Sequence, residues 1–439
     1  MNTFAVIGNV DAGKSTLIGV LKSGELDNGK GIARESIMRL KHEKQSGNTT
    51  NGNLIVINND KDRVRLLDIA GHDKYFDNSM RAITEYNPSY GLLILSAVKG
   101  LEDTTANLEV ISKTKINNGK VIQNMNKLYL NVCAILQLPV IVIITKIDNC
   151  NKDKVEKTRS EIASYLKEKF KYKMPTVVTK DNFTKISEDH NNSPTTYLPI
   201  FKISSVTGEG IDLLTNFLYK IEYRDPSIKS NMKLREFAVK EKFNNLFEIY
   251  NTYNVRGKGI IVDGKSKLGD FKPHDEFNIG PFSNGYIRIR IRSLHDDSRN
   301  EIDILKEGQY GCLCIKVVNS KDKVTKKMLR RSKVVTDHNK YYSEITCSTK
   351  IGHHKTTIDR KYKSYVHCNN IGDPMTILSA VNPSNKESED GFPLRSGNTC
   401  IIRFRFKNNQ FIYPGSKYLI REDNIKAYGI VSEIHEPGK

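Results

Sequence analysis

The chain has 439 residues, and its 69 Lys and Arg outnumber 50 Asp and Glu to give a formal net charge of +19. At about 100 to 200 residues per domain this length predicts two to four domains, and 38% hydrophobic residues argue against a disordered chain or a fibre. No apolar run approaches the ~20 residues that span a bilayer, so we expect no membrane partner, and the positive charge favours RNA or another phosphate-rich partner.

The first half of the chain alternates continuous apolar runs with amphipathic stretches. Continuous runs of Val, Ile and Leu are typical of strands that helices cover on both faces. The predicted strands are Thr3–Gly8, Val64–Ile69, Gly91–Ala97, Pro139–Thr145 and Pro199–Ser204. The predicted helices are Lys14–Lys22, Leu128–Leu136, Lys154–Phe170 and Ile211–Lys220. This alternation predicts an α/β domain, a parallel-rich sheet flanked by helices, over residues 1–225.

The pattern changes near Tyr223, and from Leu234 onwards Gly, Pro, Asn and Asp separate short β segments. The first set is Phe247–Val255, Lys258–Val262, Phe277–Ile279, Tyr286–Ser293 and Tyr310–Val318, and a second β stretch runs from Tyr341 to Ile434. Small barrels close the strand edges of such all-β segments. We therefore predict two small all-β barrel domains, over residues 226–333 and 334–439.

The segment Gly8-Asn9-Val10-Asp11-Ala12-Gly13-Lys14-Ser15 follows the first predicted strand and opens the first predicted helix. This GxxxxGK[ST] pattern in a strand-to-helix context predicts a phosphate-binding loop. Its glycines let backbone N–H groups curl around a β-phosphate, and the helix N-terminus adds partial positive charge. We expect Lys14 to bridge the β- and γ-phosphates and Ser15 to ligate Mg²⁺, and Thr16 completes the nucleotide-binding set. The structural alternative is a Gly-rich turn with a surface lysine.

A second motif, Asp68-Ile69-Ala70-Gly71-His72, stands at the end of the strand predicted at 64–69. An acidic residue there can hold Mg²⁺ through water, and a following Gly lets a backbone N–H approach the γ-phosphate. Asp68 and Gly71 are therefore predicted to sense the nucleotide. The structural alternative is a helix-capping Asp with a turn Gly.

A third motif, Thr145-Lys146-Ile147-Asp148, also ends a predicted strand. A carboxylate can accept both N1–H and N2–H₂ of guanine, whereas N1 of adenine is itself an acceptor, and the Lys146 stem can lie along the base. Asp148 therefore predicts GTP and GDP as ligands, with ATP as the alternative if Asp148 plays no part. After the last α/β strand, Ser204-Ser205-Val206 is placed to offer backbone N–H groups to guanine O6, or forms an ordinary loop.

Together GNVDAGKS, DIAGH, TKID and ISSVTGEG, followed by two β domains, resemble translational GTPases of the elongation factor Tu and elongation factor 1-alpha class. Within them the chain is most similar to the GTP-binding protein 1 and 2 family, through runs such as SGELDNGKGIAR, KHEKQSGNT and IREDNIKAYGIV. This Asn- and Lys-rich chain, without the long N-terminal extension of animal members, resembles a giant-virus version. The resemblance implies a Mg²⁺-dependent GTPase that acts with tRNA and ribosomes in the cytoplasm, that of the host if viral. We expect a monomer.

The resemblance also implies roles for individual residues. Thr49 in SGNT corresponds to the switch threonine, whose hydroxyl and carbonyl meet Mg²⁺ and the γ-phosphate, with Thr50 as the alternative register. His72 corresponds to the histidine that orients the attacking water, or is a solvated loop residue. Asp11 corresponds to a phosphate-loop aspartate that helps hold charge near the nucleotide. The expected catalytic residues are thus His72, Lys14 and Thr49, and the expected metal ligands are Ser15, Thr49 and Asp68.

The sequence departs from the family pattern at three places. Asn48 is polar where relatives carry an apolar residue that packs against the counterpart of Val10, so we expect less tightly controlled basal hydrolysis. An insertion over 101–124 precedes the helix predicted at 128–136, where Leu128-Tyr129 replace Glu-His. No arginine is identifiable from the sequence as a charge-neutralising finger, which favours stimulation by an outside partner.

The remaining candidates carry weaker signals. The odd number of Cys, without a CxxC pair, is typical of reduced thiols. Cys312 and Cys314 share one strand face, which favours buried thiols over a metal pair. A possible zinc set matches no zinc spacing: Cys347, His353, His354, His367 and Cys368. The basic segment 321–333 is either a solvated linker or an RNA phosphate contact.

Two functions compete on this sequence. One is a switch that hydrolyses GTP to GDP and phosphate, in the manner of translational GTPases, and acts on tRNA and the ribosome or in mRNA surveillance. The other is a GTP- and RNA-binding module that acts by occupancy with vestigial hydrolysis. The residues of the three motifs serve both, so the sequence leaves the two open.

Overall fold

The computed structural model describes residues 1–38, 49, 52–59, 61–100, 116–117, 120–121, 125–170, 172, 174–329, 332–352, 357–383, 391–422 and 425–437. Within them the chain forms two units, Met1–Pro226 and Ser227–Lys439. Some residues singled out from the sequence lie outside the described residues: Asn48, Thr50, Arg330, Arg331, His353, His354 and most of 101–124.

A seven-stranded sheet lies at the centre of the first unit. The strands of this unit are β1 (Thr3–Ile7), β2 (Asn53–Asn58), β3 (Arg63–Asp68), β4 (Tyr90–Ser96), β5 (Ile116–Asn117), β6 (Lys120–Val121), β7 (Val140–Thr145), β8 (Met174–Val177) and β9 (Tyr197–Lys202). The sheet order is β2-β3-β1-β4-β7-β9-β8, and β5 pairs with β6 in a separate hairpin. β2 pairs antiparallel with β3, and the other neighbours in the sheet are parallel.

Helices connect these strands. They are α1 (Lys14–Ser23), α2 (Ile32–Glu35), α3 (Phe76–Tyr86), α4 (Met125–Leu136), α5 (Lys152–Phe170), α6 (Phe183–Asn192) and α7 (Ile211–Lys220), with 3-10 helices at Asp73–Tyr75 and Ile147–Asn149. Parallel strands end at the same edge of a sheet, which is where ligands bind in open α/β folds. The loops after β1, β3, β4, β7 and β9 therefore meet at one edge, and that edge carries all three sequence motifs.

The second unit begins with a helix that the sequence did not predict, α8 (Ile228–Glu241). The expectation that the β region starts at Leu234 was wrong. Leu234, Phe237 and Ala238 recur at i, i+3 and i+4 and bury one face of α8 in the core of the C-terminal barrel. None of the helices that the structure describes combines the length and the apolar character needed to cross a membrane.

The first barrel of this unit follows α8. Its strands are β10 (Leu246–Val255), β11 (Gly259–Leu268), β12 (Glu276–Phe282), β13 (Gly285–Asp296), β14 (Glu301–Ile302), β15 (Tyr310–Val317) and β16 (Val334–Thr336). Their order is β12-β16-β10-β11-β15-β13-β14, and the pairing of β12 with β13 closes six of them. The strand β16, which follows the predicted boundary at 333, pairs with β10 and β12 and so belongs to this barrel.

The second barrel closes in the order β17-β20-β19-β18-β21-β22, where the strands are β17 (Tyr342–Ile351), β18 (Lys363–Cys368), β19 (Ile371–Val381), β20 (Thr399–Gln410), β21 (Lys417–Arg421) and β22 (Ile425–His435). Along β20, Ile402, Phe404 and Phe406 are buried and alternate with exposed residues, because successive side chains of a strand point to opposite faces. The predicted architecture is therefore confirmed: an α/β domain with a parallel-rich sheet flanked by helices, followed by two small all-β barrels.

The basic segment between β15 and β16 is packed onto the first barrel. Val324 and Leu329 are buried in the barrel core. Lys333 lies with its ammonium 5.6 Å from the centre of the Phe282 ring, and burial lowers its pKa to about 8. The segment is thus anchored at three points, and four of its lysines remain exposed: Lys321, Lys323, Lys326 and Lys327.

We expect Leu329→Ala to lower the free energy of unfolding of the second unit by about 2 to 5 kcal/mol, because truncation leaves a cavity in a packed core. Met328→Ala is the matched control, since Met328 is exposed and its truncation is expected to cost under about 0.5 kcal/mol. Urea unfolding followed by circular dichroism measures both. Equal losses in the two variants would contradict the anchored arrangement of this segment.

Candidate functional site

The loop between β1 and α1 wraps around a buried lysine. The Nζ atom of Lys14 donates hydrogen bonds to the carbonyl oxygens of Gly8 (2.9 Å) and Asn9 (2.8 Å). Its side chain is only 7% exposed. Burial lowers the pKa of Lys14 to about 8, although Asp68 and Asp11 act to raise it. The loop therefore holds a cation whose desolvated charge is available to a bound anion.

Two glycines allow this close packing. Gly8 lies against β4, where a Cβ would stand 2.5 Å from the carbonyl oxygen of Ile94. At Gly71, which follows β3, a Cβ would stand 2.3 Å from Nζ of Lys14. Any side chain at Gly71 would thus displace the lysine. Gly8 is therefore required because the backbones of the phosphate loop and β4 touch. Gly71 is required because the backbone after β3 touches Lys14.

Three oxygen-bearing side chains from separate segments meet beside Lys14. The Thr49 hydroxyl donates to Oδ2 of Asp68 at 2.8 Å, and the Ser15 hydroxyl donates to the same oxygen at 3.1 Å. The two hydroxyl oxygens are 3.0 Å apart. Asp68 is 2% exposed. Carboxylate and hydroxyl oxygens are the donors that a hard divalent cation prefers, so this cluster fits Mg²⁺.

His72 lies at the open side of the same cleft. Its ring Nδ1 faces both the Asp73 carboxylate, at 2.5 Å, and the backbone N–H of Lys74, at 3.2 Å. The side chain is about half exposed. These contacts fix the ring through Nδ1 and leave Nε2 as the nitrogen that can meet a water molecule or a phosphate.

The end of β7 is tied to the phosphate loop. The buried hydroxyl of Thr145 lies within hydrogen-bond distance of the carbonyl oxygens of Ala12 (2.6 Å) and Leu95 (3.2 Å). Thr145 therefore joins the end of β7 to the phosphate loop. Lys146 lines the cleft, and Asp148 is exposed in the 3-10 helix that follows.

Ser204 shapes the loop after β9. Its buried Oγ accepts hydrogen bonds from the backbone N–H groups of Val206 (3.2 Å) and Thr207 (3.0 Å). The N–H of Val206 is therefore engaged within the turn and is not offered to a base, contrary to the sequence-based expectation. Ser205 is the member of Ser204-Ser205-Val206 whose N–H this turn leaves available within the described part of the loop.

Sequence reasoning missed Asp27. Its buried carboxylate accepts hydrogen bonds from the backbone N–H groups of Gly29 (2.9 Å), Gly31 (3.1 Å) and Ala33 (3.0 Å). Its own N–H donates to the Ser205 carbonyl oxygen at 2.9 Å. Asp27 thus joins the segment that leads into α2 to the loop after β9. The signal was present as Asp27-Asn28-Gly29-Lys30-Gly31, a turn pattern in which Asp bonds to nearby backbone.

Helix α4 contributes two more residues that the sequence did not single out for the site. Oδ1 of Asn126 accepts a hydrogen bond from the backbone N–H of Asn9 at 2.9 Å. One turn later, Tyr129 donates its hydroxyl to the carbonyl oxygen of Ala70 at 2.5 Å. Residues at i and i+3 share one helical face, so this face of α4 holds both the phosphate loop and the segment after β3. Tyr129 is the second residue of Leu128-Tyr129, the pair at which the sequence departs from the family pattern.

These elements border an open cleft of about 590 Å³, a volume that includes solvent at its mouth. Its lining combines the phosphate loop with Thr49 and with Gly71 and His72, which follow β3. The residues are Val10, Asp11, Gly13, Lys14, Ser15, Thr16, Arg34, Thr49, Gly71, His72 and Lys146. Arg34 is the member of this lining that the sequence analysis did not identify. The carboxylate of Asp11 lies 3.6 Å from Nζ of Lys99.

The weaker candidates do not gather into a second site. Within the described ranges, no group of three or more His, Cys, Asp and Glu is placed to hold a metal ion. Cys314 is buried and Cys312 is partly buried, and both are free thiols. Burial raises the pKa of Cys312 to about 12 and also raises that of Cys368. Burial therefore keeps Cys312 and Cys368 protonated at neutral pH.

Comparison with curated proteins finds relatives along nearly the whole chain. GTP-binding protein 1 of Xenopus laevis is 31% identical over 458 aligned positions, which cover 98% of this chain and 63% of that protein. GTP-binding protein 2 of Homo sapiens is 29% identical and is matched over 69% of its length. The chain therefore spans about two thirds of these relatives.

Solved structures share the fold at lower identity. Translation elongation factor SelB from Methanococcus maripaludis, in complex with the GTP analogue GPPNHP, matches with a TM-score of 0.65 and 18% identity over 99% of this chain and 79% of its own. The Ski7 GTPase-like domain of S. cerevisiae, bound to GTP, matches with a TM-score of 0.68 and 14% identity over 98% and 97%. The family model described as "Elongation factor Tu GTP binding domain" matches residues 1–224. The chain therefore belongs to the elongation factor Tu-like GTP-binding protein family, with GTP-binding proteins 1 and 2 among its homologues.

Proposed function

We propose that this protein hydrolyses GTP to GDP and phosphate and acts as a Mg²⁺-dependent conformational switch of the translational type. The observation that carries the proposal is the meeting of Ser15, Thr49 and Asp68, within 3.1 Å of one another, beside the buried Lys14. The three oxygen donors come from three segments of the chain. A site assembled in this way suits a ligand that holds the segments together.

The residues present divide the work of binding GTP. Lys14 and the N-terminus of α1 face the phosphates, and Asp148 follows β7 where it can accept hydrogen bonds from guanine. Ser15, Thr49 and Asp68 would hold Mg²⁺, which when bound neutralises charge on the phosphate oxygens. Because Thr49 and Gly71 lie in segments outside the phosphate loop, loss of the γ-phosphate would release both of them.

His72 is placed to orient the attacking water. When the neutral ring carries its proton on Nδ1, which faces the Asp73 carboxylate, Nε2 is the atom that can accept a hydrogen bond from water. Positioning of this kind supplies most of what phosphoryl transfer asks of a protein. Gly71, against Lys14, allows the backbone to approach the same region.

A basic surface on the second unit supports the proposal that the protein binds RNA, and tRNA or ribosomal RNA is the RNA that we propose. Arg288, Arg290 and Arg292 lie at i, i+2 and i+4 on the exposed side of β13, and Lys316 of β15 stands opposite Arg290. We call these four residues the basic face. Glu276 neutralises part of it through ion pairs with Arg288 and Arg290. With the overall charge of +19, this face suits a phosphate backbone.

We expect GTP hydrolysis with Mg²⁺ to rise when ribosomes or aminoacyl-tRNA are added, and ATP turnover to stay at background. His72→Ala should lower the stimulated rate by about 100-fold or more while GDP affinity changes by less than about twofold, because the imidazole acts on the water rather than on the bound nucleotide. Phosphate release and fluorescent-nucleotide titration measure the two quantities.

Lys74→Ala is the matched control for His72→Ala, since Lys74 is exposed in the same loop and does not line the cleft. It should leave the stimulated rate unchanged. Equal rates in His72→Ala and the wild type would remove the assigned role of His72. GTP binding without hydrolysis under every condition would favour the module that acts by occupancy.

We expect GDP affinity to fall about tenfold between pH 7 and pH 9. The pKa of Lys14 is about 8 in the free site, and a bound phosphate raises it, so binding takes up a proton once the pH exceeds 8. Below that pH the lysine is already charged and affinity is constant. Isothermal calorimetry in buffers of different ionisation enthalpy measures the proton uptake.

Lys14→Arg provides the control for this pH dependence, because a guanidinium stays charged throughout the range. Its GDP affinity should be weaker than that of the wild type at pH 7 and should not change up to pH 9. The same pH slope in both proteins would show that another group titrates.

We expect the double variant Arg292→Ala/Lys316→Ala to weaken tRNA binding and to reduce the slope of log affinity against log salt by about 1 to 2, because each lost phosphate contact releases about one counterion fewer. Lys152→Ala/Lys154→Ala removes the same charge from exposed positions in the first unit. Filter binding over a salt series compares them. Identical slopes for the two variants would place the RNA contact elsewhere.

A further inference from the structure

Arg34 lies in the nucleotide cleft although no motif points to it. It belongs to α2 and lines the same cleft as Lys14, Ser15 and Thr49. Its guanidinium forms no ion pair or side-chain hydrogen bond within the described part of the chain. Its backbone carbonyl accepts hydrogen bonds from the N–H groups of Ile37 and Met38 at 3.2 Å. Arg34 thus adds a positive charge, held in no ion pair by a described residue, to the residues that line the cleft.

The position of Arg34 follows from the packing of α2 on α1. A Cβ at Gly19 would stand 2.1 Å from the carbonyl oxygen of Ala33, so the backbones of the two helices touch there. Gly19 is four residues after Ser15 and three after Thr16, and such residues share one helical face. The residue after Ala33 is therefore held about one turn from the N-terminus of α1, the end that faces phosphate.

Two further contacts fix the approach of Arg34. The Asp27 carboxylate accepts from the N–H groups of Gly31 and Ala33, which holds the backbone on the N-terminal side of Arg34. The guanidinium folds across Gly31, where a Cβ would stand 2.6 Å from Nε and 2.8 Å from Cζ of Arg34. Gly31 also has φ of +90°, a conformation that side chains rarely adopt. The orientation of the Arg34 side chain is thus set by a hydrogen-bonded turn.

The charges around the cleft indicate the partner of this guanidinium. Lys14 and Lys146 line the cleft with Arg34, and Asp11 is the carboxylate among the lining residues. Gathered cations of this kind suit a polyanion, and a guanidinium binds phosphate through two parallel hydrogen bonds. A nucleoside diphosphate or triphosphate provides such oxygens beside Lys14.

We propose that Arg34 binds the phosphate chain of the guanine nucleotide, as an arginine supplied by the chain itself. The proposal rests on the proposed function, because it takes the cleft to be the GTP site. It assigns to this protein a phosphate-binding arginine outside the phosphate loop. Arg34 then favours GTP and GDP over nucleosides through charge and not through contact with the base.

The test compares Arg34→Ala with the wild type across guanosine, GMP, GDP and GTP. We expect affinity for GDP and GTP to fall about 10- to 150-fold, the loss typical of a hydrogen bond to a charged group. Affinity for guanosine should change less than twofold. Fluorescent-nucleotide competition measures the tight ligands, and saturation-transfer NMR measures guanosine. Arg34→Lys should recover part of the loss, because it keeps the charge but not the planar fork.

Two variants separate this role from a structural one. Lys30→Ala removes an exposed positive charge from the same loop, outside the cleft lining, and should leave all four affinities unchanged. Arg34→Met keeps much of the length of the side chain without its charge and should lose as much affinity for GDP and GTP as Arg34→Ala.

The outcomes distinguish failure of this proposal from failure of the proposed function. Equal losses for guanosine and GTP, or unchanged GTP affinity in Arg34→Ala, would overturn the role of Arg34 while the cleft remains a guanine-nucleotide site. A wild-type protein that binds none of the four ligands would instead overturn the proposed function. A loss that appears with the phosphates and is partly restored by Arg34→Lys supports the proposal.

Discussion

The site depends on the burial of one ammonium group. Lys14 is held against the carbonyl oxygens of Gly8 and Asn9, and removing its charge from water lowers the pKa. Gly71 can carry no side chain because the lysine occupies that space. The end of β3 is therefore drawn against the phosphate loop, and Asp68, the last residue of β3, comes within reach of Ser15. The buried Lys14 ammonium thus determines how closely the ends of β1 and β3 and the start of α1 approach one another.

Helix α4 provides a second set of contacts to the segments around Lys14. Asn126 and Tyr129 on one face of α4 hold the backbone of Asn9 and of Ala70. The two segments that contact Lys14 are thereby also held by neutral hydrogen bonds from α4. The backbone groups of a buried loop must be paired. Here neutral side chains pair them, so no further charge is placed near Lys14.

Much of the fold was predictable because parallel strands produce a strong signal. Continuous apolar runs placed β1, β3, β4, β7 and β9, and the motifs at their ends fell at one edge of the sheet. Helix α8 was missed because its apolar residues at 234, 237 and 238 are few and lie beside β segments. Asn126, Tyr129 and Arg34 were missed for another reason. Their partners lie far away in sequence or in a ligand, and no local pattern reports such contacts.

The segment 27–34 shows how two ends of one ligand can be linked through backbone. The N–H of Asp27 donates to the carbonyl of Ser205, in the loop expected beside guanine, and its carboxylate fixes Gly31 and Ala33. Arg34 follows directly. A displacement of the loop after β9 therefore moves the turn that directs Arg34. Because each link is a hydrogen bond of about 3 Å made by the buried Asp27, the link is stiff. On the function proposed here, segment 27–34 then connects the loop that contacts the base with the arginine that contacts the phosphates.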